Sequence, residues 1–132
     1  MDPVPRAGTL AQQMGLAPCG GRSRGFAHTI TEPGSLNPVV WGVKHPALDG
    51  NCTVKLAPDG VLFDTLLPND GSADATGRFP CGRKSTYEET KSFRFPKTLT
   101  CDQCVLQWVW ETYQGVFYQC ADIEVAFLAG NV

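Results

Sequence analysis

Six cysteines, at positions 19, 52, 81, 101, 104 and 120, constrain the fold of this 132-residue chain more than any other feature. Their number is even, only one pair is close in sequence, and 18% of the residues are charged. This pattern is typical of a disulfide framework formed in an oxidising compartment. Because one domain of this length buries only a modest core, cross-links would help to stabilise it. We therefore expect a secreted protein with a single domain spanning residues 1–132.

The close pair in Cys101-Asp-Gln-Cys104 invites two other interpretations, which the rest of the chain disfavours. A structural zinc site needs about four ligands, and the only histidines, His28 and His45, lie far upstream. A thioredoxin-like centre places its cysteines at a helix N-terminus, where the helix dipole stabilises a thiolate. Here the pair leads into a strand-like segment, so we predict a Cys101–Cys104 disulfide that fixes the start of that strand.

Charge and hydropathy exclude several classes of partner. The net charge is −2, so no basic surface for nucleic acid is predicted. No apolar run approaches the length of a membrane span. The first residues, Met1–Gly8, lack the charged and apolar regions of a signal peptide, so a secreted form is expected to have lost its signal. Asn51-Cys52-Thr53 is an N-glycosylation sequon, which predicts a sugar on Asn51 and agrees with secretion.

Fourteen glycines and ten prolines divide the chain into short segments, most of which have the pattern of strands. The exception is Thr9–Met14, where Thr9 and Gln12 form a capping box and Gly15 ends a short helical turn. The predicted strands are residues 38–43, 52–56, 61–63, 91–95, 105–112 and 116–128. The last two are joined by Gln114-Gly115 and are expected to form a hairpin. The fold class predicted is therefore all-β: an immunoglobulin- or fibronectin-like antiparallel β-sandwich with disulfides and one short N-terminal helical turn.

Alternation along the last two strands predicts which side chains are buried. Side chains two residues apart lie on the same face of a strand. Leu106, Trp108 and Trp110 share one face of the first strand, and residues 117, 121, 123, 125 and 127 share one face of the second. Tyr118, Cys120, Asp122 and Glu124 are expected on the opposite face. The tryptophans are interpreted as core residues in preference to a sugar-binding platform.

Four motifs in order are similar to those of one family. They are Pro18-Cys-Gly-Gly21, Val40–His45 followed by Cys52–Leu56, Cys101-x-x-Cys-Val-Leu-Gln-Trp108, and Tyr118-Gln-Cys-Ala-Asp-Ile123. Together they resemble the secreted lytic polysaccharide monooxygenases (LPMOs) of the chitin-binding type-4 kind and their copper-binding relatives. The resemblance covers most of the chain between Pro18 and Val125. It implies an immunoglobulin-like sandwich and oxidative cleavage of a glycan such as chitin or cellulose, with an external electron donor.

The resemblance also implies a copper site, in which an amino-terminal histidine and a second histidine form a brace and an aromatic residue lies axially. Imidazole and amine nitrogens are ligands that suit copper. His45 matches the second histidine, and Phe117 or Tyr118 matches the axial residue. The resemblance further implies a Cys19–Cys120 disulfide, which leaves Cys52–Cys81 as the remaining pair.

No residue matches the amino-terminal histidine, because the sequence starts at Met1-Asp2-Pro3. We therefore expect no cofactor in the chain as given, and copper if an amino-terminal histidine exists. The function favoured at this point is a non-catalytic, LPMO-like role in a cell wall or extracellular matrix, with glycan binding or self-assembly. The alternative is a copper-dependent LPMO. The expected partners are a polysaccharide or another cell-wall component and, through exposed edge strands, further copies of the chain.

Overall fold

The computed structural model describes residues 17–19, 29–43, 50–81, 87–112 and 115–127, which form eight strands and no helix. The strands are β1 (Thr29–Thr31), β2 (Leu36–Val43), β3 (Asn51–Ala57), β4 (Asp64–Leu66), β5 (Phe79–Pro80), β6 (Tyr87–Arg94), β7 (Cys101–Thr112) and β8 (Gly115–Val125). The helical turn predicted at Thr9–Met14 lies outside the described residues. In the part of the chain that is described, no helix has the length and apolar character needed to cross a bilayer.

Two sheets pack face to face. The larger sheet has the order β1-β8-β7-β3-β4, with β5 also paired to β3, and the smaller sheet consists of β2 and β6. Their facing side chains form one apolar core, in which Trp41 of β2 lies 6.3 Å from Trp108 of β7 between ring centroids. The arrangement confirms the predicted all-β sandwich.

The larger sheet is mixed, which corrects the expectation of an entirely antiparallel sandwich. Strand β1 pairs in parallel with β8, with Thr29 opposite Ile123 and Thr31 opposite Val125. The backbone of Ala126 extends this contact by donating a hydrogen bond to the Thr31 carbonyl at 2.9 Å. A three-residue segment contains too few alternating positions to indicate its direction of pairing.

The alternation predicted for β7 and β8 is confirmed along the paired strands. Trp110 faces Phe117 and Leu106 faces Ala121 on the core side, and all four residues are buried. On the opposite face Val109 pairs with Tyr118. Phe127 departs from the prediction, because β8 ends at Val125 and the Phe127 side chain is 64% exposed.

The return strand predicted at Val61–Phe63 is wrong. The Asp59 carboxylate accepts hydrogen bonds from the backbone N–H groups of Val61 and Leu62, at 2.8 and 2.9 Å. These bonds hold both residues in an extended turn with their side chains exposed, and the strand that pairs with β3 begins only at Asp64. An Asx-type turn therefore overrides the β propensity of this apolar run.

The structure contains three disulfides, Cys19–Cys120, Cys52–Cys81 and Cys101–Cys104, which is the pairing expected from the sequence and the resemblance. Cys52–Cys81 connects β3 to the residue after β5, and Cys101–Cys104 closes a short loop at the start of β7. Cys19–Cys120 attaches an N-terminal segment to the outer face of β8. Beside it, the Gln107 side-chain amide donates a hydrogen bond to the Pro18 carbonyl at 2.8 Å, which fixes this segment against the sheet.

Candidate functional site

The two candidate axial residues, Phe117 and Tyr118, lie on opposite faces of β8. Phe117 is 2% exposed and faces the core, where its ring centroid lies 5.4 Å from that of Trp110. Tyr118 is half-buried on the outer face, opposite Val109. A single site can therefore be bordered directly by only one of these two rings.

Gly50, the residue before β3, lies against the end of the core that contains Phe117 and Trp110. Its φ is +126°, and a Cβ placed on it would lie 2.4 Å from Nε1 of Trp110 and 3.0 Å from the Glu111 carbonyl oxygen. Side chains are rarely compatible with this backbone conformation or with so close a contact. A glycine is thus needed for the chain to pass directly over the indole that stacks on Phe117. We call Gly50, Trp110 and Phe117 the Phe117 end of the sandwich.

Trp108 and Trp110 belong to the core, as predicted, and Trp41 joins them there, so the three do not form a surface platform. Trp41, Trp108 and Trp110 are 2%, 7% and 3% exposed. The ring centroids of Trp110 and Trp108 are 6.1 Å apart, and those of Trp41 and Phe79 are 5.8 Å apart. The indole Nε1 atoms of all three are buried and find no hydrogen-bond partner within the described residues. Their contribution is therefore apolar packing.

The described residues do not by themselves make a copper centre. Both histidines, His28 and His45, lie outside the described residues. All six cysteines are in disulfides. Within the described ranges no group of three or more His, Cys, Asp or Glu side chains is close enough to hold a metal ion. Phe117 offers an aromatic wall and no donor atom, so the nitrogen ligands implied by the resemblance would have to come from the histidines.

Asn51, the predicted glycosylation site, is the first residue of β3 and its side chain is exposed. It pairs with Pro80 of β5 on one side and Glu111 of β7 on the other. An exposed asparagine is compatible with a bulky sugar. Glycosylation of Asn51 stays a prediction.

Three carboxyl groups of the described residues, Asp59, Asp70 and Asp74, have lowered pKa values and lie in turns. Hydrogen bonds lower the pKa of Asp59, mainly from the backbone N–H groups of Leu62 and Val61. The Lys91 ammonium, 2.6 Å away, is the main cause of the lowered pKa of Asp70. The Thr76 hydroxyl is the main cause for Asp74. A lowered pKa keeps these carboxylates ionised to more acidic pH than an ordinary aspartate, which suits a role in fixing turns better than general acid catalysis.

Comparison with known proteins supports the fold. No family model matches the chain, and no curated protein matches it either. Among solved structures, the chain is similar to a lytic polysaccharide monooxygenase AA15 from Thermobia domestica in the Cu(I) state, with 22% identity and a TM-score of 0.64. The match covers 78% of this chain and 65% of that one, so the chain spans about two thirds of the neighbour's length. The likeness shows an LPMO-like sandwich, whereas membership of the chitin-binding type-4 family stays a prediction.

Proposed function

We propose that this is a secreted, polysaccharide-directed protein in which the disulfide-stabilised, LPMO-like sandwich acts as a rigid scaffold. The observation that carries the proposal is the agreement between the sequence motifs and the fold of the AA15 neighbour. The three disulfides support an extracellular location, because such bonds persist in oxidising compartments. The role of the chain as given is non-catalytic: glycan binding or assembly within a cell wall or extracellular matrix.

Copper-dependent oxidative cleavage is the second candidate, and one geometric observation favours it. Gly50 contacts Trp110 at the Phe117 end, and His45 precedes Gly50 by five residues in the sequence. In this candidate His45 would supply an imidazole ligand and Phe117 an aromatic wall. Copper, when bound, would supply the oxidative chemistry that cleaves the glycan.

Sedimentation with insoluble glycans tests the first candidate. Purified protein with intact disulfides is mixed with chitin or with cellulose, and the bound fraction is measured over a range of protein concentrations. Saturable binding to at least one glycan, lost after reduction and unfolding, is the expected result. Recovery of the folded protein in the supernatant with both glycans, at the level of serum albumin, would contradict a glycan-binding role.

Copper binding and product analysis separate the two candidates. Protein expressed with its native precursor in a secreting host is analysed by mass spectrometry for an amino-terminal histidine, then titrated with copper(II) by calorimetry. For protein that truly begins at Met1 we expect only weak binding, because one imidazole and an aromatic ring are a poor copper site. A submicromolar site and oxidised oligosaccharides released with a reductant, both lost in His45→Ala and kept in His28→Ala, would establish the enzymatic candidate.

A further inference from the structure

A polar groove lies on the outer face of the larger sheet, on the side opposite the core. Its volume is about 280 Å³. The groove is lined by residues of β3, β4 and β7 and of the loop before β5: Thr53, Lys55, Thr65, Thr76, Arg78, Val109 and Glu111. Three threonine hydroxyls and three charged groups thus surround one space.

Strand register explains the floor of the groove. Thr53 pairs with Val109, and Lys55 pairs with Thr65 on its other side. Paired residues project from the same face of a sheet. Val54, between Thr53 and Lys55, faces the core, so the groove side chains all point outward. Tyr118, the cross-strand partner of Val109, extends the same face with a half-buried aromatic ring.

The loop that forms the wall is held in one conformation by Asp74. The carboxylate oxygen Oδ1 of Asp74 accepts hydrogen bonds from the hydroxyl and backbone N–H of Thr76, at 2.7 and 2.8 Å, and from the backbone N–H of Arg78 at 3.1 Å. Gly77 has φ +87°, and a Cβ on it would lie 2.2 Å from Cγ2 of Thr65. The glycine therefore lets the loop pack tightly against β4, so that Thr76 and Arg78 are positioned before any ligand arrives.

The charges in the groove are unequally paired. Arg78 contacts Glu111 twice, with Nε to Oε1 and Nη2 to Oε2 both 3.2 Å. Lys55 is half-buried, and its side chain makes no hydrogen bond or ion pair within the described part of the chain. The lining side chains comprise two cations and one carboxylate, and the Asp74 carboxylate that holds the wall adds a second negative charge, so the groove and its wall together are neutral. Lys55 is the groove cation that lacks a described carboxylate partner. The groove thus offers one ammonium group, flanked by hydroxyls, to an anion.

We propose that this groove binds a carboxylate-bearing sugar unit, such as a uronic acid residue of an acidic glycan. The sugar carboxylate pairs with Lys55, and the ring hydroxyls bind Thr65, Thr76 and the outer edge of the Arg78–Glu111 pair. The volume of about 280 Å³ is just below the range of roughly 300–1,000 Å³ for ligand pockets, which suits a single sugar unit. The groove and the Phe117 ring lie on opposite faces of the larger sheet, because Phe117 faces the core and the groove faces outward.

Chemical-shift mapping with soluble probes tests the proposal. Uniformly labelled protein is titrated with glucuronate, with glucose and with sulfate at pH 7. Glucuronate should shift the amide signals of the groove residues, whereas glucose, which carries a hydroxymethyl group in place of the carboxylate, should bind at least about tenfold more weakly. Equal binding of glucose and glucuronate would overturn the role of Lys55. Sulfate binding as strong as glucuronate would overturn the recognition of a sugar and indicate a simple anion site.

Matched variants locate the site. Lys55→Met keeps the aliphatic chain and removes the charge, and should weaken glucuronate binding about tenfold or more. Lys97→Met makes the same charge change at an exposed lysine outside the groove and should leave binding unchanged. Gly77→Ala displaces the loop from Thr65 and should weaken binding while Lys55 is intact. If folded Lys55→Met binds glucuronate with the wild-type affinity, the groove proposal is refuted. That result would leave the proposed function open, because glycan sedimentation and copper titration test it separately.

Discussion

Replacing Trp108 by alanine tests whether the aromatic strand is core or binding surface. Trp108 is 7% exposed and lies between Trp41 and Trp110, with ring centroids 6.3 and 6.1 Å away. A buried aromatic side chain of this size typically contributes about 3–5 kcal/mol to stability when it is compared with alanine. Its indole N–H has no hydrogen-bond partner in the described residues, so the loss is one of packing and apolar burial.

The expected size of the effect follows from the length of the chain. At roughly 2.1 cal/mol/K per residue, 132 residues give an unfolding entropy of about 280 cal/mol/K near the midpoint. A loss of about 3–5 kcal/mol then lowers the melting temperature by roughly 10–20 °C. Differential scanning calorimetry under non-reducing conditions measures this shift. Leu62→Ala is a matched control, because Leu62 is 70% exposed and its removal should change stability by less than about 0.5 kcal/mol.

The same variant separates stability from binding. Below its melting temperature, folded Trp108→Ala should sediment with glycan as well as the wild-type protein does. Trp108→Phe should recover much of the lost stability, because it keeps an aromatic ring and gives up no hydrogen bond seen in the structure. A Trp108→Ala protein with the wild-type melting temperature and no glycan binding would refute the core assignment and the register of β7.

Two further predictions concern the cross-links and one ion pair. Replacing Cys19 and Cys120 together by serine should lower the free energy of unfolding by about 4–5 kcal/mol in the chain-entropy model, because this bond spans 101 residues. The same change at Cys101 and Cys104, which are 3 residues apart, should lower it by about 2 kcal/mol or less. Urea denaturation of the two double variants measures which of them loses more stability. The ion pair of Asp70 with a lysine lowers the folded-state pKa of Asp70, so its stabilisation is present above the ordinary value of about 3.9 and is lost as the pH falls through the lower folded-state value. Asp70→Asn should therefore be less stable than wild type at pH 7, and equal stability losses at pH 7 and in strong acid would contradict this assignment.

The sequence predicted the central hairpin well because several local signals agree there. Alternation places Trp108 and Trp110 on one face and Gln107 on the other, and Gly115 allows the turn with φ +143°. The strand prediction for residues 61–63 failed for a physical reason. Their apolar side chains are typical of a strand, but the backbone N–H groups of Val61 and Leu62 donate hydrogen bonds to the Asp59 carboxylate.

The outer groove could not be predicted, because it depends on contacts between distant parts of the chain. Thr53, Thr65 and Val109 become neighbours only through the register of three strands. The Arg78–Glu111 pair joins residues 33 positions apart. The only local signal was Asp74 followed by Thr76 and Gly77, which indicates a turn and does not indicate what the turn faces.

The order of strands in the larger sheet has a consequence for how the protein is made. Val54 of β3 pairs with Trp108 of β7, 54 residues later in the chain, and Thr29 of β1 pairs with Ile123 of β8. At roughly 5–20 residues per second, the ribosome releases β3 about 3–10 s before its central partner exists. The nascent chain must therefore carry β3 without β7, and Cys19 without Cys120, until the β7–β8 hairpin emerges, whereas Cys81, the partner of Cys52, is made earlier. The Cys19–Cys120 bond and the centre of the larger sheet can therefore form only after the β7–β8 hairpin has been made, and such non-local pairings favour slow, late folding.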